Sequence, residues 1–460
     1  MTSYLTVNGT QFVDGTGHPV LLRGVGLGGW MCMENFVTGY PGTESLMRDA
    51  VRRVLGAEKS EFFFDRLLTS FFGEADARLL AGLGLNALRI PVSYRHFEDD
   101  SKPFQLKEEG FRKLDRVIEL CAAHGIYSII DLHTVPGWQN QRWHSDNPTH
   151  LALFWQHPHF QDRVVHLWEA IADRYRNNPW VAGYNPINEP GDESREVVGP
   201  FYRRLVTAIR AVDPDHILFL DGNTYSTEFD IFDVFDELPD NVTYACHDYA
   251  APGLGYGGPY PGETRGAWHD KETVEQKFLQ RSEFSRKTDT PIWVGEFGPV
   301  YTGDPGRDAQ RYQLLGDQLE IYDRHDASWS LWTYKDIGVQ GLVRVAADSP
   351  YLTRFGGIVA KKARLAVDAW GATGPGPLEV TGPVQDLVAR EFPDFDPYPW
   401  GRLDWVRTLL TTITFAQPLV EEYAELFRGL DDSELAALAD SFALENCTVR
   451  EPLRQRLAEA

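Results

Sequence analysis

Eight short, β-prone runs recur between residues 21 and 336, and helical patterns separate most of them. They read "LLRGVGLGGW" (21–30), "GLNALRIPVSY" (84–94), "GIYSIIDLH" (125–133), "VAGYNPINE" (181–189), "HILFLDGN" (216–223), "NVTYACHDY" (241–249), "PIWVGEFG" (291–298) and "SWSLWTYKD" (328–336). The runs are continuously apolar rather than alternating, as parallel strands buried on both faces must be. Between them, "KEEGFRKLDRVIELCAAHG" places Leu114, Val117, Ile118 and Cys121 on one helical face and stops near Gly125. Eight strands joined by helical crossovers predict an α/β fold of the (β/α)8 TIM-barrel type. An open doubly wound sheet is the alternative, but it has no need of a functional group at every strand end.

Ahead of the first run, "YLTVNGTQFVDGTGHPVLLRG" reads as a hairpin with turns at Asn8-Gly9 and Asp14-Gly15, placed to plug the barrel floor. A helical pattern near 357–370 completes a catalytic unit of residues 1–370. "GATGPGPLEVTGP" then predicts a Gly/Pro-rich linker over 371–383, and residues 384–460 a helical C-terminal extension. Packing on the barrel, covering the site and mediating association are all open to this extension, and no oligomeric state follows from the sequence.

Lys+Arg 44 against Asp+Glu 67 gives a net charge of −23, which repels nucleic acid and anionic lipid and excludes both as expected partners. Cys32, Cys121, Cys246 and Cys447 lie far apart without a CxxC pairing, which argues against zinc and against a disulfide framework. The N-terminus has no basic stretch followed by an apolar one, and no apolar run reaches membrane-spanning length. A cytoplasmic protein is expected.

In such a barrel the site lies at the C-terminal ends of the strands. Those ends carry Trp30 and Glu34 (first), Arg89 (second), His133 (third), Asn188 and Glu189 (fourth), and His247 and Tyr249 (sixth). The seventh ends in Glu296 and the eighth in Trp332, Lys335 and Asp336. Singly, each has an ordinary structural explanation: an ion pair for Arg89, a satisfied core histidine for His133, core packing for Trp332. Functional groups at seven of eight strand ends are harder to attribute to packing. Two of them are glutamates, and glycoside cleavage needs two carboxyls across a sugar-sized gap, one to protonate the leaving oxygen and one to attack the anomeric carbon. Arg89 and Tyr249 would favour the charged form of Glu296, and a negative Glu296 would raise the pKa of Glu189. Asn188 can bond a sugar 2-hydroxyl, and Trp332 can floor the sugar. No cofactor or metal is required.

"NEP", "GEFG", "RIP", "DLH", "HDY" and "WSLWTYK" resemble glycoside hydrolase family 5, a retaining family on this barrel, over roughly residues 4–345. The resemblance implies Glu189 as acid/base and Glu296 as nucleophile, and Arg89, His133, Asn188, His247, Tyr249 and Trp332 match the remaining active-site pattern. "LGGWMCMENF" is similar to exo-acting members, in which the acid here numbered Glu34 bonds the outermost sugar. The N-terminal run looks most like the intracellular bacterial β-mannosidases of subfamily 18, which implies a neutral β-linked disaccharide such as Manβ1-4GlcNAc. Trp138, Gln139, Asn140, Trp143 and His144 would then frame the far wall or the second sugar.

"GVGLGG" formally matches G-x-G-x-x-G, but "WMCMENFVTGYPG" follows where a nucleotide site needs a helix. His144, His150, His157 and His159 lack metal-ligand spacing. Two rivals stay open: another β-glycoside specificity (glucosidase, exo-glucanase or glycolipid glycosidase), and a carbohydrate-binding barrel without activity. The binder would have no use for two opposed carboxylates.

Overall fold

A computed structural model describes residues 4–251, 254–255, 257–367, 375–397 and 401–460. Eight parallel strands close a barrel: β1 (Arg23–Gly26), β2 (Ala87–Ser93), β3 (Tyr127–Thr134), β4 (Val181–Asn185), β5 (Ile217–Asp221), β6 (Val242–His247), β7 (Ile292–Phe297) and β8 (Ser328–Leu331). The ring closes where Trp329 of β8 aligns with Arg23 of β1. Nearly every strand residue is buried, because helices cover the outside and side chains fill the inside. The TIM-barrel expectation holds.

The helix Glu108–Ala123 buries Leu114, Val117, Ile118 and Cys121, and Gly125 with φ of 72° turns the chain into β3. At the bottom, strands Thr6–Asn8 and Gln11–Val13 form the expected hairpin. Leu5, Phe12 and Leu22 pack with Ala87, Ile129, Ala182, Ile217, Phe219, Ala245 and Trp293. With the floor sealed in this way, the upper rim is the end open to function.

Of the residues read as a linker over 371–383, 371–374 lie outside the described residues, and 375 onward belongs to the helix Pro375–Glu391. Proline is tolerated in a first helical turn, where its missing N–H has no partner to lose. The extension continues with helices Ala416–Glu425, Asp432–Asp440 and Glu451–Glu459, and strand Cys447–Val449. It packs on the barrel unit. Helix Asp432–Asp440 lies against helix Ala57–Phe71, where Arg66 pairs with Asp440 at 2.6 Å, and Phe71 stacks on Phe442. Strand Cys447–Val449 pairs with Val343–Val345, which pairs with Lys335–Asp336 just beyond β8.

Candidate active site

Glu189 lies four residues beyond β4, with φ of 45°, a left-handed conformation that a non-glycine residue holds only when its surroundings over-determine it. Its N–H donates to Asp221 Oδ2 (2.9 Å) at the end of β5, and its carbonyl accepts from Asn140 Nδ2 (2.9 Å). Pro190 follows, so the chain leaves the barrel at this point. The strand tip thereby aims its carboxyl across the barrel mouth instead of along the rim.

Glu296 at the end of β7 stands opposite. Arg89 Nη1 donates to Glu296 Oε1 (2.6 Å), and the Tyr249 hydroxyl donates to Oε2 (2.7 Å). Arg89 is fully buried and also donates to Asn185 Oδ1 (3.0 and 2.9 Å) and Asn188 Oδ1 (2.6 Å), with Asp131 3.1 Å away. His247 lies between the two acids, its Nδ1 2.6 Å from Glu189 Oε1 and 3.6 Å from Glu296 Oε2. A Glu189 oxygen, a Glu296 oxygen and a ring nitrogen of His247 all lie within 4.8 Å of one another. Such a trio could seat a cation in distance alone, but Arg89 and Tyr249 already donate to both Glu296 oxygens. An added cation would meet the guanidinium.

Three further residues complete the site: His133, Trp332 and Glu34. His133 stacks on Trp332 with ring centroids 5.4 Å apart and planes 3° from parallel. His133 Nε2 is 3.3 Å from Glu34, and its Nδ1 is 2.7 Å from Asp131. Burial opposes a charged His133, yet Asp131 and Glu34 outweigh it and the imidazole is pushed up to about 10. Burial pushes the Glu34 carboxyl up, with His133 opposing. Glu189 departs from expectation. Burial favours its neutral form, but His144 Nε2 at 3.2 Å and His247 Nδ1 at 2.6 Å outweigh burial and hold it well below the ordinary carboxylate range. The anticipated elevation by Glu296 is overturned, because two imidazoles lie closer to Glu189 than the opposing charge was expected to.

Residues 63–338 match the family described as Cellulase (glycosyl hydrolase family 5). The chain belongs to glycosyl hydrolase family 5. It is 48% identical over 469 residues to a β-xylosidase of Phanerodontia chrysosporium, covering 99% of this chain and 98% of that protein. It is 23% identical to endoglucanase C of Acetivibrio thermocellus over 58% of this chain and 84% of that one. With the probable glucan 1,3-β-glucosidase A of Aspergillus fumigatus it shares 28% identity over 70% of this chain and 84% of the relative. A solved glycoside hydrolase structure superposes with a TM-score of 0.53 at 20% identity, covering 69% of this chain and 90% of the other, a likeness of fold. As a family 5 member the protein is an O-glycosyl hydrolase with a carbohydrate substrate. No helix among the described residues is long and apolar enough to cross a membrane.

Around this family 5 centre the structure gathers Glu34, Arg89, His133, Asn188, Glu189, His247, Tyr249, Glu296 and Trp332. It adds Asn140, whose amide reaches His144 Nε2 (2.9 Å), and Gln139, which donates to the carbonyls of His133 (2.6 Å) and Asn188 (3.0 Å). Trp143 is buried edge-on to Phe36 and His144, so it backs the histidine. Trp138 is half-buried on a left-handed turn, with φ of 61°.

Three expected ligands of the sugar are corrected. Trp30 is buried with Nε1 donating to the Leu68 carbonyl (2.9 Å), so it is core. Lys335 is fully buried on Asp76 and two carbonyls, and Asp336 accepts the backbone N–H groups of Gly338, Gln340 and Gly341. Both residues face away from the sugar site because the chain after β8 turns into the sheet shared with the extension. Sequence reasoning missed Asp131, Asn185 and Asp221. Asp131 sits two residues before His133 and so on its face of β3, and Asp221 ends an apolar run just as Glu189 does; both signals were readable. The glycines of "GVGLGG" serve packing: a Cβ on Gly26 or Gly28 would lie 2.7 Å from the Trp332 ring.

Proposed function

We propose that the protein is a retaining, exo-acting β-glycosidase in which Glu296 is the nucleophile and Glu189 the acid/base. The observation that carries this reading is the approach of the two carboxyls: an oxygen of each lies within 4.8 Å. Retaining pairs stand about 5–5.5 Å apart and inverting pairs about 6.5–9.5 Å. The donors divide the roles. Arg89 and Tyr249 both donate to Glu296, which orients an ionised attacking oxygen, whereas the Glu189 carboxyl faces two imidazoles, groups that can hold or return a proton. Attack by Glu296 on the anomeric carbon breaks the glycosidic bond as Glu189 protonates the departing oxygen. Water then displaces Glu296 while Glu189 takes the water's proton.

Exo action is supported by Glu34, buried at 3% exposure beside His133, where it can bond the hydroxyls of a terminal sugar. For the sugar, the β-xylosidase matched along nearly its whole length favours β-xylosides and the related β-glucosides. The β-mannoside and subfamily 18 reading from the N-terminal motifs ranks behind them. The four cysteines are unpaired, in keeping with the reducing cytoplasm first expected.

A panel of aryl β-D-xyloside, β-D-glucoside and β-D-mannoside, with NMR of the first-formed sugar, tests the reading. Release of single β-anomeric sugars, fastest from the xyloside or glucoside, is expected. An α-anomeric first product would overturn the mechanism, and a preferred mannoside would restore the subfamily 18 assignment.

A further inference from the structure

Glu189 is held at both oxygens by imidazoles from different parts of the barrel. His247 of β6 takes Oε1 and faces Glu296. His144, on the loop after β3, faces Oε2 alone at 3.2 Å. That loop is tied down on several sides. Ser145 Oγ and Asn147 Nδ2 donate to the Asn140 carbonyl (3.0 and 2.7 Å), and Arg142 Nη1 reaches Thr408 Oγ1 of the C-terminal extension (2.9 Å).

The decisive detail is what surrounds His144 Nε2. On one side lies the acid oxygen, and on the other lies Asn140 Nδ2 at 2.9 Å. The Asn140 amide has one orientation, because its Oδ1 accepts from Arg142 N (3.0 Å) and its Nδ2 donates to the Glu189 carbonyl (2.9 Å). Nε2 therefore has a partner in either protonation state. Carrying a proton, it donates to the Glu189 carboxylate; lacking one, it accepts from Asn140, and the proton sits on Glu189. Glu189 approaches His144 from beyond β4, His133 from β3 (ring centroids 6.1 Å apart), and Tyr225 from beyond β5 (6.0 Å); Glu34 from beyond β1 adds a negative charge to the neighbourhood.

We propose that His144 is a positioning residue that exchanges the acid/base proton with Glu189, Asn140 being the alternative partner of its Nε2. The inference rests on the acid/base role of Glu189 proposed above. In the first half-reaction the proton leaves Nε2 for Oε2 and passes from Glu189 to the departing oxygen, which keeps the electron pair of the broken bond. Glu189 is then a carboxylate and His144 is neutral on Asn140. In the second half-reaction Glu189 takes the proton of the attacking water as the bond to Glu296 breaks, and Nε2 can take it back.

The test is His144→Gln, which keeps an N–H donor near Oε2 but cannot carry the proton. For an aryl glycoside with a poor leaving group, kcat/KM should fall about 10- to 100-fold, part of the roughly 10²–10⁴ that acid–base catalysis contributes. For a 2,4-dinitrophenyl glycoside, whose departure needs no acid, it should stay within about threefold. The alkaline limb of the pH profile should move, because Glu189 then has no neighbouring base at Oε2 with which to exchange its proton. Equal losses on both substrates, or an unmoved alkaline limb, would overturn the proposal. If His144→Gln does not fold, ¹⁵N NMR of histidine replaces it: Glu189→Gln should move the titration of two histidines, and movement of His247 alone refutes the exchange. Glu189→Ala separates the two claims, for if it shows no leaving-group dependence the acid/base assignment itself has failed.

Discussion

Replacing Lys335 by Met should damage stability and leave chemistry intact. Its ammonium is fully buried and donates to Asp76 Oδ1 (2.7 Å), the Phe71 carbonyl (2.7 Å) and the Phe442 carbonyl (2.8 Å). Methionine fills a similar volume but strands a buried carboxylate and two carbonyls, and breaking a buried pair from one side costs about 3–5 kcal/mol. Asp76 keeps the Tyr334 hydroxyl (2.5 Å) and Gly73 N (2.8 Å) as donors, which places the expected loss near the lower end, about 3 kcal/mol. With 460 residues and about 2.1 cal/mol/K of unfolding entropy per residue, each kcal/mol moves Tm by roughly 1 °C. A drop of roughly 3 °C is therefore expected by scanning calorimetry, with kcat/KM of the folded variant on an aryl glycoside within about twofold of wild type. An unchanged Tm together with a large loss of kcat/KM would refute the reasoning and return Lys335 to the sugar pocket.

Glu296→Ala should abolish turnover while azide or formate partly restores cleavage of an activated aryl glycoside; wild-type-like turnover would remove Glu296 from the nucleophile role. Glu34→Ala should lower kcat/KM about 10- to 150-fold, the equivalent of a charge-assisted hydrogen bond of roughly 1.5–3 kcal/mol, and early internal fragments from a labelled oligosaccharide would contradict a closed pocket. His133 is held at about 10, above its ordinary 6.5, so its contribution to stability is complete below pH 6.5 and disappears as pH rises through 10. Chemical denaturation of wild type should weaken across that window and of His133→Gln less so; parallel curves would show that His133 is not the titrating group.

The barrel was legible in the sequence because two-sided burial demands continuously apolar strands, and eight of them joined by amphipathic helices have few ways to close. Arg89, His133, Asn188, Glu189, His247, Tyr249, Glu296 and Trp332 were legible for a related reason: polar groups at the open ends of buried strands have one place to converge. Tertiary structure decided the rest. Lys335 and Asp336 occupy a strand end like the others, yet their orientation depends on a turn into the extension, and Lys335 bonds a carbonyl 107 residues away. Trp30 is core because the helix carrying Leu68 comes to lie beside it. The charge state of Glu189 depends on imidazoles delivered by β6 and the loop after β3, and local sequence says nothing about distances between strands. Periodicity and strand-end chemistry are local quantities. Proton placement in a buried site follows from contacts of a few ångströms among distant residues, and only the folded chain creates those contacts.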